Sequence, residues 1–161
     1  MALRSSSPGT PELDSSAPVA PGTEVAVIRL TFPGRLEYRD LALRTVASAC
    51  RLVPGAGDDL YESVISAFGE ALNNVILHGL TAEPGDIDVE IDLAEDHLTI
   101  HLRDFGKSFD PATAPAPDLD SLPESGIGIY IMRSFMDDIS YRGGRPNTLS
   151  MTKFLKRARA S

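Results

Sequence analysis

The sequence predicts an α/β fold, an α+β two-layer sandwich in which helices cover a β-sheet. Three patterns predict it. Ile87, Val89, Ile91 and Leu93 alternate with Asp86, Asp88, Glu90 and Asp92; after Ala94-Glu95-Asp96, Leu98, Ile100 and Leu102 alternate with His97, Thr99, His101 and Arg103. This is a hairpin with one buried and one wet face. Leu60, Val64, Phe68, Ala71, Leu72, Val75 and Ile76 form one apolar stripe when residues from Asp59 to Leu80 are set at ~100° steps. A further helix and two closing strands follow a proline-rich loop.

The elements read as follows in chain order. Residues 1–23 are rich in Ser, Pro, Gly and Ala and have no period. They bury too little apolar surface to offset ordering, so a disordered tail is expected there and a folded domain over 24–161. Glu24 to Phe32 reads as a strand, broken at Pro33-Gly34. Leu36 to Val53 reads as a helix ended by Pro54-Gly55, and Asp58 or Asp59 can cap the helix that follows. Lys107 to Ser125 contains Pro111, Pro115, Pro117 and Pro123; loops of that length are usually functional or disordered. Ile127 to Met136 reads as a short helix entered through glycines, and Asp138 to Tyr141 and Thr148 to Leu155 as closing strands. The basic end (Lys153, Lys156, Arg157, Arg159) reads as a solvated terminus.

Composition narrows the function. A chain of 161 residues fits one domain with one core. A formal net charge of −8 disfavours nucleic-acid binding, which needs a basic surface; it would suit a partner with a basic face, although acidity more often simply supports solubility. The single cysteine, Cys50, excludes an internal disulfide and falls in an apolar helical pattern, as a buried structural thiol does. No apolar run approaches the ~20 residues of a membrane helix, and no secretory signal is visible, so a cytoplasmic protein is expected.

The polar residues are more specific. Glu70, Asn74 and His78 lie four apart and form a line beside the apolar stripe, drifting into its edge at His78. Polar groups at the rim of a core helix cost free energy unless they find partners, and an amphipathic helix also carries such residues on its flank. As a site, an amide oxygen suits a hard cation such as Mg²⁺, and a glutamate can accept a proton. Asp104 has the parity of Leu98, Ile100 and Leu102 and should point inward, where a ligand N–H such as the adenine amine could satisfy it; alternatively the strand ends at Arg103 and Asp104-x-Gly106 is a turn. A missing side chain at Gly106 lets a flat ring approach the backbone. Gly126-Ile127-Gly128 opens a helix, whose free N–H groups suit phosphate, although a lone Gly-x-Gly also serves loop flexibility. Asn147-Thr148 begins the last strand and could place a hydroxyl near a base.

In this order, Glu70-x-x-x-Asn74-x-x-x-His78, Asp104-Phe-Gly106, Gly126-Ile-Gly128 and Asn147-Thr148 resemble the GHKL ATPase superfamily, and within it the anti-sigma-factor serine/threonine kinases. The similar stretches are Gly69 to Gly79, Leu102 to Pro111, Gly126 to Tyr141 and Asn147 to Lys153, within a resemblance running from about Glu24 to Leu155. The resemblance implies the Bergerat fold, a mixed and mostly antiparallel sheet with helices on one face. It implies ATP and Mg²⁺ as cofactors, with Glu70 as general base and Asn74 on the metal. Asp104 and Thr148 would face the adenine, Gly106 would make room for it, and Lys107 to Ser125 would be a lid hinged at Gly126 and Gly128. Asn73, His78 and Lys107 would contribute.

It further implies a homodimer that holds a sigma factor or similar client and phosphorylates a small antagonist protein on serine or threonine. Two features depart from the family. Ser108 stands where a second glycine is frequent, although Ser108-Phe109-Asp110-Pro111 resembles the anti-sigma branch, and the lid has no basic residue after Lys107. The rival expectations are a nucleotide-gated binding module without kinase activity and a histidine-kinase catalytic domain. The latter is disfavoured because no preceding helix pair with a phospho-accepting His is seen. A plain α/β domain would bind no nucleotide.

Overall fold

A computed structural model describes residues 26–54, 56–80, 85–108 and 127–155. The expected tail at 1–23, the loop beyond Ser108, Gly126, and the basic positions 156, 157 and 159 lie outside the described residues.

β1 (Ala26–Pro33) leads through a 3₁₀ turn (Leu36–Tyr38) into α1 (Arg39–Arg51). α2 (Asp58–Asn74) follows and widens into a π-helical turn over Val75–Gly79. The predicted hairpin is β2 (Asp86–Leu93) and β3 (His97–Asp104). α3 (Ile127–Phe135), β4 (Asp138–Arg142) and β5 (Asn147–Phe154) complete the order. The sheet has five strands in the order β1-β2-β3-β5-β4. Every described pairing is antiparallel, so the mixed character expected of the sheet is absent among the described strands.

The helices share one face of the sheet because their apolar stripes and the inward strand positions are the same core. Phe68, Leu72, Val46 and Val64 from α1 and α2, Met132 from α3, and Ile87, Ile91, Leu98, Ile100, Leu102 and Met151 from the sheet are fully buried. Each such side chain contributes ~1.5–3 kcal/mol over its exposed state. The opposite face is polar: Arg29, Glu90, Asp92, His101, Arg103 and Ser150 share its parity. Cys50 is buried as expected, and burial pushes its thiol up to about 11.

Two local expectations are corrected. Neither Asp58 nor Asp59 caps α2: Gly57 is the cap, and both aspartates sit in the first turn, where they favour the positive end of the helix dipole. The helix does not run regularly to Leu80. Leu80 N–H donates to the Val75 carbonyl at 3.0 Å across the wider turn, a feature often found at functional sites. Among the described residues no helix is long and apolar enough to cross a membrane.

Candidate functional site

α2 and its π turn, α3 and the ends of β3, β4 and β5 enclose a cavity of about 230 Å³. Ala71, Val75, Met132, Tyr141 and Leu149 supply carbon-rich walls. Asn74, His78, Asp104, Lys107 and Ser108 supply the polar groups. An apolar slot with a few convergent polar atoms is the usual form of a small-molecule site.

Asp104 is the buried acid of this slot. Strand parity carries it inward, as predicted, and only 6% of it is exposed. Its Oδ1 accepts from the Gly106 N–H at 2.8 Å and from Asn147 Nδ2 at 3.1 Å. The turn geometry offered as the alternative is therefore also present: the carboxylate caps its own Asp-x-Gly turn while facing the cavity. Both bonds end on one oxygen, and among the described residues none goes to Oδ2.

The α2 line divides. Asn74 is half-buried on the cavity wall. Glu70, one turn earlier, is half-buried beside α3: a Cβ on Gly128 would lie 2.7 Å from its Oε2. Gly128 is thus the second residue of α3 and lets that helix close on Glu70. His78 does not drift into the apolar edge. The π turn breaks the regular angular step, and His78 is exposed at the cavity rim. Asn73 does not face the cavity; its Oδ1 accepts from Arg39 Nε of α1 at 2.7 Å.

Two further placements differ from what the family resemblance implies. The room left at Gly106 is taken by protein: a Cβ there would overlap the Gly79 carbonyl, and Lys107 N–H donates to that same carbonyl at 2.9 Å. Thr148 pairs with Arg103 and Arg142, on the parity of Ser150 and Thr152, so it stands on the outer face of the sheet, away from Asp104. Its buried Oγ1 has no hydrogen-bond partner among the described residues. The residue opposite Asp104 is Asn147, 1% exposed. Its inward parity was legible by counting back in twos from Met151 and Leu149. Tyr141, Met132 and Leu149 were also missed as cavity walls, because they read equally well as core.

The chemistry of the slot fits a purine nucleotide. The walls suit a flat apolar ring, Asp104 offers an acceptor from the end of β3, and Asn74 offers an oxygen from the α2 wall. Lys107 is the one cation among the described lining residues. Glu90, Asp92 and His101 cluster closely enough to hold a metal, but on the outer face, and Glu90 already pairs with Arg29 and Arg103. That cluster does not serve the cavity.

A family model described as the histidine kinase-like ATPase domain matches residues 32–153. The serine-protein kinase RsbW of Bacillus mycoides (strain KBAB4) is 30% identical over 138 residues, 81% of this chain and 86% of that protein. The serine-protein kinase RsbW of Bacillus cereus (strain Q1) is 32% identical over 139 residues with the same coverage. The family match reaches from the end of β1 into β5 and spans the lining residues of the cavity; the chain belongs to the histidine kinase-like ATPase family, as its GHKL-like motifs led us to expect.

Proposed function

We propose that this chain is an ATP-dependent serine/threonine protein kinase and anti-sigma regulatory factor, which sequesters a sigma factor or similar client and phosphorylates a small antagonist protein. The observation that carries the reading is the buried Asp104 carboxylate facing an apolar slot whose other wall is the Glu70/Asn74 helix. The serine-protein kinase relatives supply the reaction class.

In this reading Asp104 accepts the adenine amine, and Ala71, Val75, Met132 and Leu149 exclude water around the ring. Asn74 holds Mg²⁺ through its side-chain oxygen. ATP supplies the phosphoryl group. Glu70 takes the proton of the attacking serine or threonine hydroxyl. Lys107 offsets phosphate charge; phosphoryl transfer depends on such positioning and neutralisation. The added phosphate weakens the antagonist interface through charge and desolvation. The net charge of −8 suits a client with a basic face. A homodimer belongs to the same reading, on the family resemblance alone.

A binding module gated by nucleotide but lacking kinase activity is the second reading. It is favoured by the absence of a basic residue from 108 to 125. Incubation with labelled ATP and the antagonist separates the two. The kinase reading expects label on serine or threonine and its loss in Glu70→Ala. Absence of transfer from a chain that binds ATP selects the second reading, and label on histidine overturns both.

A further inference from the structure

Asn147 reads in the sequence only as the start of the last strand, yet its side chain makes four hydrogen bonds beside the cavity. Its Nδ2 donates to Asp104 Oδ1 at 3.1 Å and to the Gly106 carbonyl at 3.0 Å. Its Oδ1 accepts from the Ser108 hydroxyl at 2.6 Å and from the Gly144 N–H at 3.1 Å. A primary amide has two N–H donors and two acceptor sites. All four are used, so Asn147 has nothing left with which to read a ligand. The same four partners settle the orientation of the amide, because reversal would set oxygen against a carboxylate and a carbonyl.

The carboxylate torsion of an aspartate is broad and is not fixed by rotamer preference. Here it is fixed from outside. The Gly106 N–H and Asn147 Nδ2 converge on Oδ1, and the other oxygen is left for the cavity. Asn147 in turn is held by Ser108, at the position where the family often has glycine. Resting on the ATP reading above, we propose that Asn147 is a positioning residue for base recognition: it orients Asp104 to accept the exocyclic amine of adenine, and Ser108 is the outer support of the same clamp. Asn147 acts through Asp104 and touches no ligand. A partner with neutral N–H donors suits this place. An aspartate there would set a second carboxylate against Asp104, and an aliphatic residue would leave the Gly106 carbonyl unpaired.

The test compares two nucleotides that differ only in the amine. The full chain and its Asn147→Ala and Ser108→Ala variants are titrated calorimetrically with ATP and with purine riboside 5′-triphosphate, both with Mg²⁺. The unaltered chain should prefer ATP by about tenfold or more, the worth of one hydrogen bond to a charged group. Asn147→Ala should lose about tenfold in ATP affinity while the amine-free nucleotide changes by less than about twofold. Ser108→Ala, at an exposed position, should shift the preference in the same direction by about threefold. If Asn147→Ala does not fold, Ser108→Ala decides alone. A parallel weakening of both nucleotides would show a merely structural role and overturn the proposal. So would an unchanged preference, or equal affinity of the unaltered chain for the two. An unaltered chain that binds neither nucleotide overturns the ATP reading itself.

Discussion

On the outer face of the sheet, Glu90 meets Arg29 at 2.7 Å and Arg103 at 3.2 Å, and His101 bridges Ser150 at 2.7 Å and Asp92 at 3.2 Å. On the helix-covered face, Asp104 meets Gly106 and Asn147 at 2.8 and 3.1 Å. The two clusters use similar residue types, and their surroundings differ. The outer pairs are half-buried to exposed and remain open to water, where ion pairs contribute little and salt screens them. Asp104 and Asn147 are buried, so each unpaired atom there is costly and each partner is consequential. The lesson is that the informative polar residues of this fold are the two that interrupt the apolar face, not the many that decorate the polar one.

Substitutions can break that comparison. The largest effect is expected from Glu70→Ala, which should cut phosphoryl transfer by ~10²–10⁴-fold, the usual worth of a general base. Its ATP affinity should change little, and steady-state rates beside calorimetry would show the split. Equal losses in binding and rate would remove the base assignment. Gly106→Ala should destabilise by ~1–3 kcal/mol, because its Cβ must displace the Gly79 backbone; urea denaturation measures this. Thr148→Val should be neutral to stabilising by up to ~1 kcal/mol, since it deletes a buried hydroxyl without a partner among the described residues. It should leave ATP affinity unchanged, whereas a clear loss of affinity would place that hydroxyl at the base after all.

The smallest effect is expected on the outer face. Arg103 and Arg29 hold the Glu90 carboxyl below its usual range, the Arg103 hydrogen bond acting most strongly. A lowered folded-state value means that the stabilisation is present above the ordinary carboxylate value of 4.5 and is lost as pH falls through the folded value. Glu90→Gln should therefore cost under ~1 kcal/mol at neutral pH, less in high salt, and nothing in acid. A larger, salt-insensitive loss would mean that the outer face is not the minor partner described here.

The hairpin and the α2 stripe were legible because their periods of 2 and 3.6 are strong over many residues. The same parity carried Asp104 inward and would have carried Asn147 there too. What was not legible depended on contacts between distant segments. Asn73 turns aside because Arg39, 34 positions earlier, reaches it. His78 leaves its helical line because the π turn interrupts the regular step, which no periodic count anticipates. The clearance at Gly106 belongs to Gly79, a neighbour that exists only once the π turn after α2 meets the chain leaving β3. The cap of α2 went to Gly57 because two adjacent aspartates could not show which backbone turn would form.

The most direct measurement is a calorimetric titration of the chain and of its Asp104→Ala variant with ATP and Mg²⁺, with folding of both checked by circular dichroism. The account predicts saturable heat from the former and at least about a tenfold loss of affinity in the latter. Matching isotherms from two folded proteins would contradict it.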